Sequence, residues 1–112
     1  MDCLFCSIIK GDIPSTKVFE NEEVYAFKDI HPNAPVHVLV VPKKHIESVD
    51  VLNDANIDIA ANVLKAIPAV AKACGLENGY RVITNVGNDG CQSVKHLHFH
   101  ILGGIKLAER LN

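Results

Sequence analysis

The segment His96-Leu97-His98-Phe99-His100-Ile101-Leu102 alternates strictly between polar and apolar side chains. Successive side chains of a β-strand point to opposite faces, so the three imidazoles share one face and the apolar residues face a core. Neighbouring histidines then lie about 6.6 Å apart, at a rise of roughly 3.3 Å per residue. Solvated strand faces normally carry Lys, Glu and Thr, whereas imidazole, with a pKa of about 6.5, suits proton transfer, nucleophilic attack or metal binding. We therefore expect a functional face.

Four further β-prone runs precede this strand, which is predicted over residues 97–102. The clearest spans residues 36–41, which are β-branched and almost wholly apolar between two prolines, as in a buried central strand. The others span residues 17–20 and 23–29, which are predicted to pair as a hairpin, and residues 80–85.

One long helix is predicted among these strands. Apolar residues recur at spacings of three and four from Asn53 or Asp54, either of which can cap a helix, up to Gly75, which suits the position after a helix end. Pro68 removes a backbone donor inside it, so we expect a bend or a local break near residues 64–67. Strands on both sides of one helix, without strand–helix alternation, predict an α+β domain on a mainly antiparallel sheet.

Size, composition and charge restrict the class of protein. The chain has 112 residues, 48% hydrophobic and 21% charged, so we expect one globular domain over residues 1–112, opening with a short amphipathic helical turn at residues 4–9. A formal charge of −2 provides no basic field for nucleic acid. No apolar run approaches the roughly 20 residues of a membrane span, and the first residues lack a signal-peptide pattern, so a cytoplasmic location is expected. In that reducing compartment the four cysteines are expected to be thiols or metal ligands rather than disulfides.

A glycine- and amide-rich segment, residues 85–93, lies just before the histidines. Such a loop can present main-chain N–H groups and short polar side chains to an anion, although Asn-Asp-Gly is also ordinary turn chemistry. Beside the histidine face it favours a phosphate held next to an imidazole. Two chemistries stay open here: a catalytic zinc ion bound by the three histidines, or one histidine acting as a nucleophile that its neighbours orient.

Four stretches distributed along the chain between residues 5 and 104 carry a resemblance: FCSIIKGDIPS, VYAFKDIHPNAPVHVLVVPKKHI, GYRVITNVGNDGCQS and CQSVKHLHFHILGG. Together they resemble the histidine triad (HIT) family, and specifically its Hint branch of purine nucleoside phosphoramidases. The pair Gly103-Gly104 after the histidines favours this branch over the dinucleoside polyphosphate hydrolases of the same family. The resemblance implies a HIT-like fold, with an antiparallel sheet of about five strands, one long helix and a short amino-terminal helix.

The resemblance also implies a mechanism and a set of site residues. His98 would attack the α-phosphorus of a purine nucleotide and form a transient nucleotidyl-imidazole, which water then hydrolyses. This step is chemically sound, because a neutral imidazole needs no deprotonation at pH 7 and is a good leaving group. The other implied catalytic residues are His100, His37 and Ser93. The implied nucleotide contacts are Phe5, Ile8 and Ile30 at the base, Asp29 at the ribose, and Asn85, Cys91, Gln92, Ser93, His98 and His100 around the phosphate.

Some of these residues have competing roles when they are judged from the sequence alone. Asp29 can instead cap the turn over residues 30–33, and Phe5 and Ile8 are core residues by default. Cys91 departs from the Hint pattern, which usually has Gly there. We expect a side chain at this position to crowd the phosphate loop, to place a thiol near the site or to require a positive φ.

A second cluster points to a metal. Cys3-x-x-Cys6 has the spacing of half a structural zinc site, which needs two more ligands. His45, just after the central strand, and His96, the first histidine of the triad, are the best candidates. This set resembles the zinc site of several bacterial HIT proteins, which implies a structural zinc that the chemistry does not require. The competing interpretation is two free thiols packed as small hydrophobic residues.

Two other functions and an assembly state complete the expectations. A nucleotide-binding adaptor with incidental catalysis and a dinucleoside polyphosphate hydrolase are the alternative functions. An open sheet of about five strands leaves an edge that needs covering. Since Hint proteins form two-fold dimers in which sheets and helices join, the resemblance implies a homodimer.

Overall fold

The structure is a computed structural model and describes residues 3–110. Within this range the helices are α1 (Leu4–Lys10) and α2 (Ile57–Ala73), and the strands are β1 (Lys17–Glu20), β2 (Val24–Lys28), β3 (Val36–Pro42), β4 (Arg81–Ile83) and β5 (Phe99–Gly103). All neighbouring strands pair antiparallel, in the order β1-β2-β3-β5-β4, and form one open sheet. The predicted α+β fold with a five-stranded sheet, one long helix and a short amino-terminal helix is therefore confirmed.

The central strand β3 is covered on both faces. Val38 and Val40 belong to a hydrophobic core that includes α2. Leu39 and Val41 point the other way, into a second core that includes Phe5 of α1. Burial on both sides explains why the sequence of this strand is almost wholly apolar.

β4 and β5 pair over a shorter stretch than predicted. β4 ends at Ile83 and β5 begins at Phe99, so two predicted residues at each of these ends lie outside the ladder. Just beyond the end of β4, Thr84 and Asn85 make hydrogen bonds through their side chains. The histidines at positions 96 and 98 consequently precede the strand.

The start of α2 also differs from the prediction. Asn53 does not cap the helix; its side chain accepts a hydrogen bond from the Ala55 N–H at 2.8 Å and forms a separate turn. Its main-chain oxygen accepts from the N–H groups of Asn56 and Ile57, after which the helix begins at Ile57. The polar residues at 53 and 54 thus form the turn that leads into the helix.

α2 runs without interruption through Pro68, so the predicted local break is absent. The carbonyl that loses its partner belongs to Leu64, four residues earlier, and both residues lie on the exposed side of the helix. Gly75 follows the helix with a φ of 72°, as predicted for the position after its end. No helix within residues 3–110 is both long and apolar enough to cross a membrane.

Candidate active site

The histidines of the triad lie on the face of the sheet that carries α1. Leu97, Phe99 and Ile101 are buried in the core under α2, as the alternation predicted. The rings of His98 and His100 lie on the opposite side, with centroids 5.1 Å apart. The shared face is confirmed, but its members have different partners.

His98 has its ring fixed by the main chain. Its Nδ1 lies 2.8 Å from the carbonyl oxygen of His96, which can only accept a hydrogen bond, so Nδ1 carries the proton. Burial lowers the pKa of His98, an effect that the bond to His96 and the charge of Asp29 oppose. A neutral ring in this tautomer leaves Nε2 with a free electron pair, which is what a nucleophile needs.

His37 and His100 form a directed pair beside it. The Asn33 N–H donates to His37 Nδ1 at 3.0 Å, so His37 carries its proton on Nε2. That proton is donated to His100 Nδ1 at 2.9 Å, which leaves His100 with a proton on Nε2. Burial, followed by the neighbouring His98 and His37, lowers the pKa of His100 to about 4, so the ring is neutral at pH 7. His100 can therefore donate one hydrogen bond into the site.

Asp29 follows β2 and meets the histidines at the end of the sheet. Its Oδ2 lies 3.4 Å from His37 Nε2, and burial lowers the pKa of His37 while Asp29 opposes that shift. Its Oδ1 accepts from the His31 N–H at 2.8 Å. The position of Asp29 is thus compatible with both predicted roles, capping of the turn over residues 30–33 and contact with a ribose. One carboxylate oxygen holds the turn, and the other faces the histidines.

The three apolar residues predicted around the base differ in exposure. Phe5 and Ile8 are buried in the core under α1, as the competing interpretation expected. The Phe5 ring nevertheless contacts His98 edge-on, with centroids 5.1 Å apart and an 82° interplanar angle. Ile30 is 85% exposed, so its side chain has open surface for a ligand.

The loop of residues 85–93 uses several of its polar groups internally. Asn85 Nδ2 donates to the Gly90 carbonyl at 2.7 Å, and the N–H groups of Cys91 and Gln92 donate to loop carbonyls. The predicted main-chain contacts of Cys91 and Gln92 to a phosphate therefore lack a free donor. Ser93 has an exposed side chain, and its N–H has no protein acceptor within residues 3–110. Ser93 is thus the member of this segment best suited to an anion.

Gln92 and Cys91 have structural roles in the same loop. The buried Gln92 side chain accepts from the Gly87 N–H and donates to the carbonyls of Glu47 and Val94, which braces the loop. Cys91 has a φ of 60°, so of the three predicted consequences of replacing Gly here, the positive φ is observed. This conformation is strained for any residue with a Cβ.

The predicted metal ligands meet in one cluster beside α1. The donor atoms of Cys3, Cys6, His45 and His96 all lie within 4.8 Å of one another. His96 Nδ1 is 3.3 Å from Cys3 Sγ and 3.6 Å from Cys6 Sγ, and His45 Nδ1 is 3.5 Å from Cys6 Sγ. A tetrahedral zinc ion with Zn–S of about 2.3 Å and Zn–N of about 2.0–2.1 Å requires sulfur–nitrogen separations of about 3.6 Å. The four donors fit such an ion.

His96 is oriented for this cluster and not for the histidine face. Its Nε2–H donates to the Pro42 carbonyl at 2.9 Å, which leaves Nδ1 as the ligand atom. Burial lowers the pKa of His96, which favours the neutral ring that metal binding needs. A zinc ion bound by all three triad histidines does not fit this geometry, because His96 Nδ1 faces Cys3 and Cys6.

Two contacts of the site were not predicted from the sequence. The Asn33 N–H that fixes the His37 tautomer belongs to the main chain, so no side-chain pattern reveals it. The Thr84 hydroxyl donates to the His98 carbonyl at 2.7 Å. Thr84 stands in a run predicted to be strand, where a threonine is unremarkable.

Comparisons with known proteins identify the family of this fold. The HIT domain family model matches residues 10–107. Among similar proteins, the 14 kDa zinc-binding protein of Zea mays is 48% identical over 103 residues, which cover 90% of this chain and 80% of that protein. The adenylylsulfatase HINT1 of Arabidopsis thaliana is 44% identical over 103 residues, which cover 90% and 70%.

Solved structures show the same likeness. A HIT family hydrolase from Clostridium thermocellum superimposes with a TM-score of 0.95 at 47% identity, covering 99% of this chain and 97% of that one. A histidine triad protein from Clostridium difficile gives a TM-score of 0.93 at 51% identity, covering 98% and 96%. With a family match over most of its length and relatives of this similarity, the chain belongs to the HIT domain family.

Proposed function

We propose that this protein is a nucleotide hydrolase or transferase that cleaves the P–N bond of purine nucleoside 5′-phosphoramidates through a covalent nucleotidyl-His98 intermediate. The observation that carries the proposal is the 2.8 Å contact from His98 Nδ1 to the His96 carbonyl, which directs the free electron pair to Nε2. The name of the Arabidopsis relative, an adenylylsulfatase, supports an adenylyl-bearing substrate. It also favours a second candidate activity, with sulfate in place of an amine as the leaving group.

The reaction proceeds in two displacements at phosphorus. His98 Nε2 attacks the α-phosphorus, the P–N bond breaks, and the amine leaves with a proton taken from solvent. The nucleotidyl-imidazolium keeps its Nδ1 proton, and the His96 carbonyl stabilises its positive charge. Water then attacks phosphorus, the bond to Nε2 breaks, and one proton is released with the nucleoside monophosphate.

The remaining residues bind and orient the nucleotide. His100 donates its Nε2–H to a phosphate oxygen, in a tautomer that His37 maintains. Ser93 contributes its hydroxyl and N–H to the same phosphate, and Asn85 holds the loop that carries Ser93. Asp29 accepts from the ribose hydroxyls, and Ile30, with Phe5 and Ile8 behind it, provides apolar surface for the base.

The zinc cluster acts as a structural element in this proposal. Zinc bound by Cys3, Cys6, His45 and His96 ties α1 to the segment that precedes β5. The metal supplies a rigid link and takes no part in the chemistry, while His96 contributes to the reaction through its carbonyl. The Zea mays relative, named a zinc-binding protein, supports this assignment.

We also propose a cytoplasmic homodimer of single-domain subunits without a nucleic-acid partner. β4 lies at one edge of the sheet, and Val82 within it is 40% exposed, which makes this edge a candidate for pairing with a second copy. Sedimentation analysis tests the dimer, since a monomer at micromolar concentration would contradict it.

Replacement of the nucleophile tests the proposed reaction. His98→Asn is expected to reduce hydrolysis of adenosine 5′-phosphoramidate by about 10³-fold or more, because no other side chain can form the covalent intermediate. AMP binding measured by calorimetry should persist. His31→Asn is the matched control, because that exposed side chain has no role in the site. Full activity in His98→Asn would refute the role of His98.

The same assay separates the alternatives. AMP binding by the wild-type protein without turnover of any phosphoramidate would favour an adaptor. Faster cleavage of diadenosine polyphosphates than of phosphoramidates would favour the other hydrolase class. Rapid-quench mass spectrometry of the wild-type protein should detect the nucleotidyl adduct on the peptide that contains His98.

A further inference from the structure

Thr84 is the first residue after β4 and contacts the main chain of the proposed nucleophile. Its Oγ1 donates to the His98 carbonyl oxygen at 2.7 Å. The ladder between β4 and β5 ends one residue earlier, at the pair Ile83–His100. The carbonyl of His98 therefore lies beyond the last backbone pair of this ladder, and a side chain takes the place of the missing donor.

The hydroxyl allows two neighbouring segments to separate without releasing His98. Directly after Thr84, Asn85 binds the Gly90 carbonyl, and the chain turns into the loop that carries Ser93. A backbone donor at this point would require β4 to continue along β5, which would keep the loop away from its observed course. Thr84 thus connects the end of the strand, the start of the loop and the main chain of His98.

His98 is then held at two points. The His96 carbonyl orients its ring through Nδ1, and Thr84 fixes its peptide carbonyl. The side chain of His98 is only 5% exposed, so water has little access to replace either bond. Without the hydroxyl, the peptide plane after His98 can rotate more freely, and the direction in which Nε2 points then varies as well.

We propose that Thr84 is a positioning residue for the nucleophile, which acts by anchoring the His98 carbonyl. The proposal rests on the proposed function of His98. It concerns the rate of attack and not the affinity for the nucleotide, because Thr84 contacts His98 and no group assigned to the base or ribose.

The test compares a substitution that removes the hydroxyl with one that keeps it. Thr84→Val keeps the shape and removes the donor, and is expected to lower kcat for adenosine 5′-phosphoramidate about five- to tenfold while KM changes less than about twofold. Thr84→Ser keeps the donor and should stay within about threefold of the wild-type kcat. Thr16→Val, at the other threonine of the chain, is exposed and serves as the matched control.

A second measurement needs no substrate. Long-range ¹H–¹⁵N correlation spectra distinguish protonated from unprotonated imidazole nitrogens, and the wild-type protein should show His98 protonated at Nδ1 alone. Thr84→Val should broaden or shift these His98 signals, whereas Thr84→Ser should not. If Thr84→Val does not fold by circular dichroism, Thr84→Ala replaces it in both measurements.

The outcomes separate this proposal from the proposed function. Unchanged kcat and unchanged His98 signals in Thr84→Val would overturn the positioning role, as would equal losses in the Val and Ser variants. Failure of the wild-type protein to cleave phosphoramidates would overturn the proposed function alone, and the His98 spectra would then decide the role of Thr84.

Discussion

Removal of zinc from the cluster of Cys3, Cys6, His45 and His96 is expected to destabilise the protein strongly. Cys3 caps α1 and Cys6 lies within it, and this helix has seven residues, which is too short to be stable alone. Burial of its Phe5 and Ile8 contributes about 3–6 kcal/mol, whereas ordering seven residues costs about 7–14 kcal/mol of backbone entropy. Helical hydrogen bonds and the metal must offset the difference.

The size of the effect follows from linkage. Zinc present at about 1,000 times its dissociation constant stabilises the folded state by about 4 kcal/mol. For a domain of this length, that corresponds to a melting temperature lower by about 15 °C after chelation. At a temperature where the metal-free protein is still folded, we expect reduced but measurable activity, because the proposed nucleophile is His98 and not the metal.

Calorimetry with and without a chelator, combined with elemental analysis, measures this effect. Cys6→Ser should reproduce the loss in melting temperature without chelator and bind less than one equivalent of zinc. Cys91→Ser is the matched control, because it removes an exposed thiol outside the cluster. If chelation removed zinc completely and the melting temperature stayed unchanged, the structural role of the cluster would be wrong.

Three further predictions concern the loop and the histidine pair. Cys91→Gly should raise the free energy of unfolding by about 1 kcal/mol in urea titrations, because Gly relieves the strain at a φ of 60°; a lower stability would contradict this. His37→Phe should lower kcat about tenfold or more, because His100 Nδ1 loses its hydrogen-bond donor. An unchanged kcat in steady-state kinetics would show that the His37–His100 hydrogen bond does not support the reaction. Burial, followed by the neighbouring His98 and His37, lowers the pKa of His100 to about 4, although the charge of Asp29 opposes this shift. Between about pH 6.5 and pH 4, His100 is therefore protonated more readily in the unfolded chain than in the folded protein. The contribution of His100 to stability should therefore be complete above about pH 6.5 and fall by about 3 kcal/mol towards pH 4. His100→Asn should reduce this fall in urea titrations across that pH range, and an identical pH dependence would count against it.

The histidine strand shows how far sequence patterns extend. Alternation along residues 96–102 correctly predicted which side chains share a face, because the period of two follows from the geometry of a single strand. It did not indicate where the strand begins. Only the structure shows that β5 begins at Phe99, because this boundary depends on the pairing of Phe99 with Val40 of β3.

Polar residues at the start of α2 and in the loop before the triad make contacts that their residue types did not indicate. Asn53 and Asp54 have the residue types of a helix cap, yet local side-chain bonds place them in a preceding turn. Gln92 resembles a phosphate-binding residue by its neighbours in the sequence, but its amide braces the loop against Glu47. Polar residues of the same type make either kind of contact, and the partner decides which.

The sequence alone determined the elements that depend on neighbouring residues: the apolar central strand, the long helix, the shared face of the histidines and the half-site formed by Cys3 and Cys6. The tertiary structure decided what each histidine does. His96 joins two cysteines that lie 93 and 90 positions earlier. His98 is oriented by the carbonyl of His96, two positions earlier, and by the Thr84 hydroxyl from the end of β4. The physical reason is that periodicity is a local property of the backbone, whereas a tautomer or a ligand set depends on groups that only folding brings together.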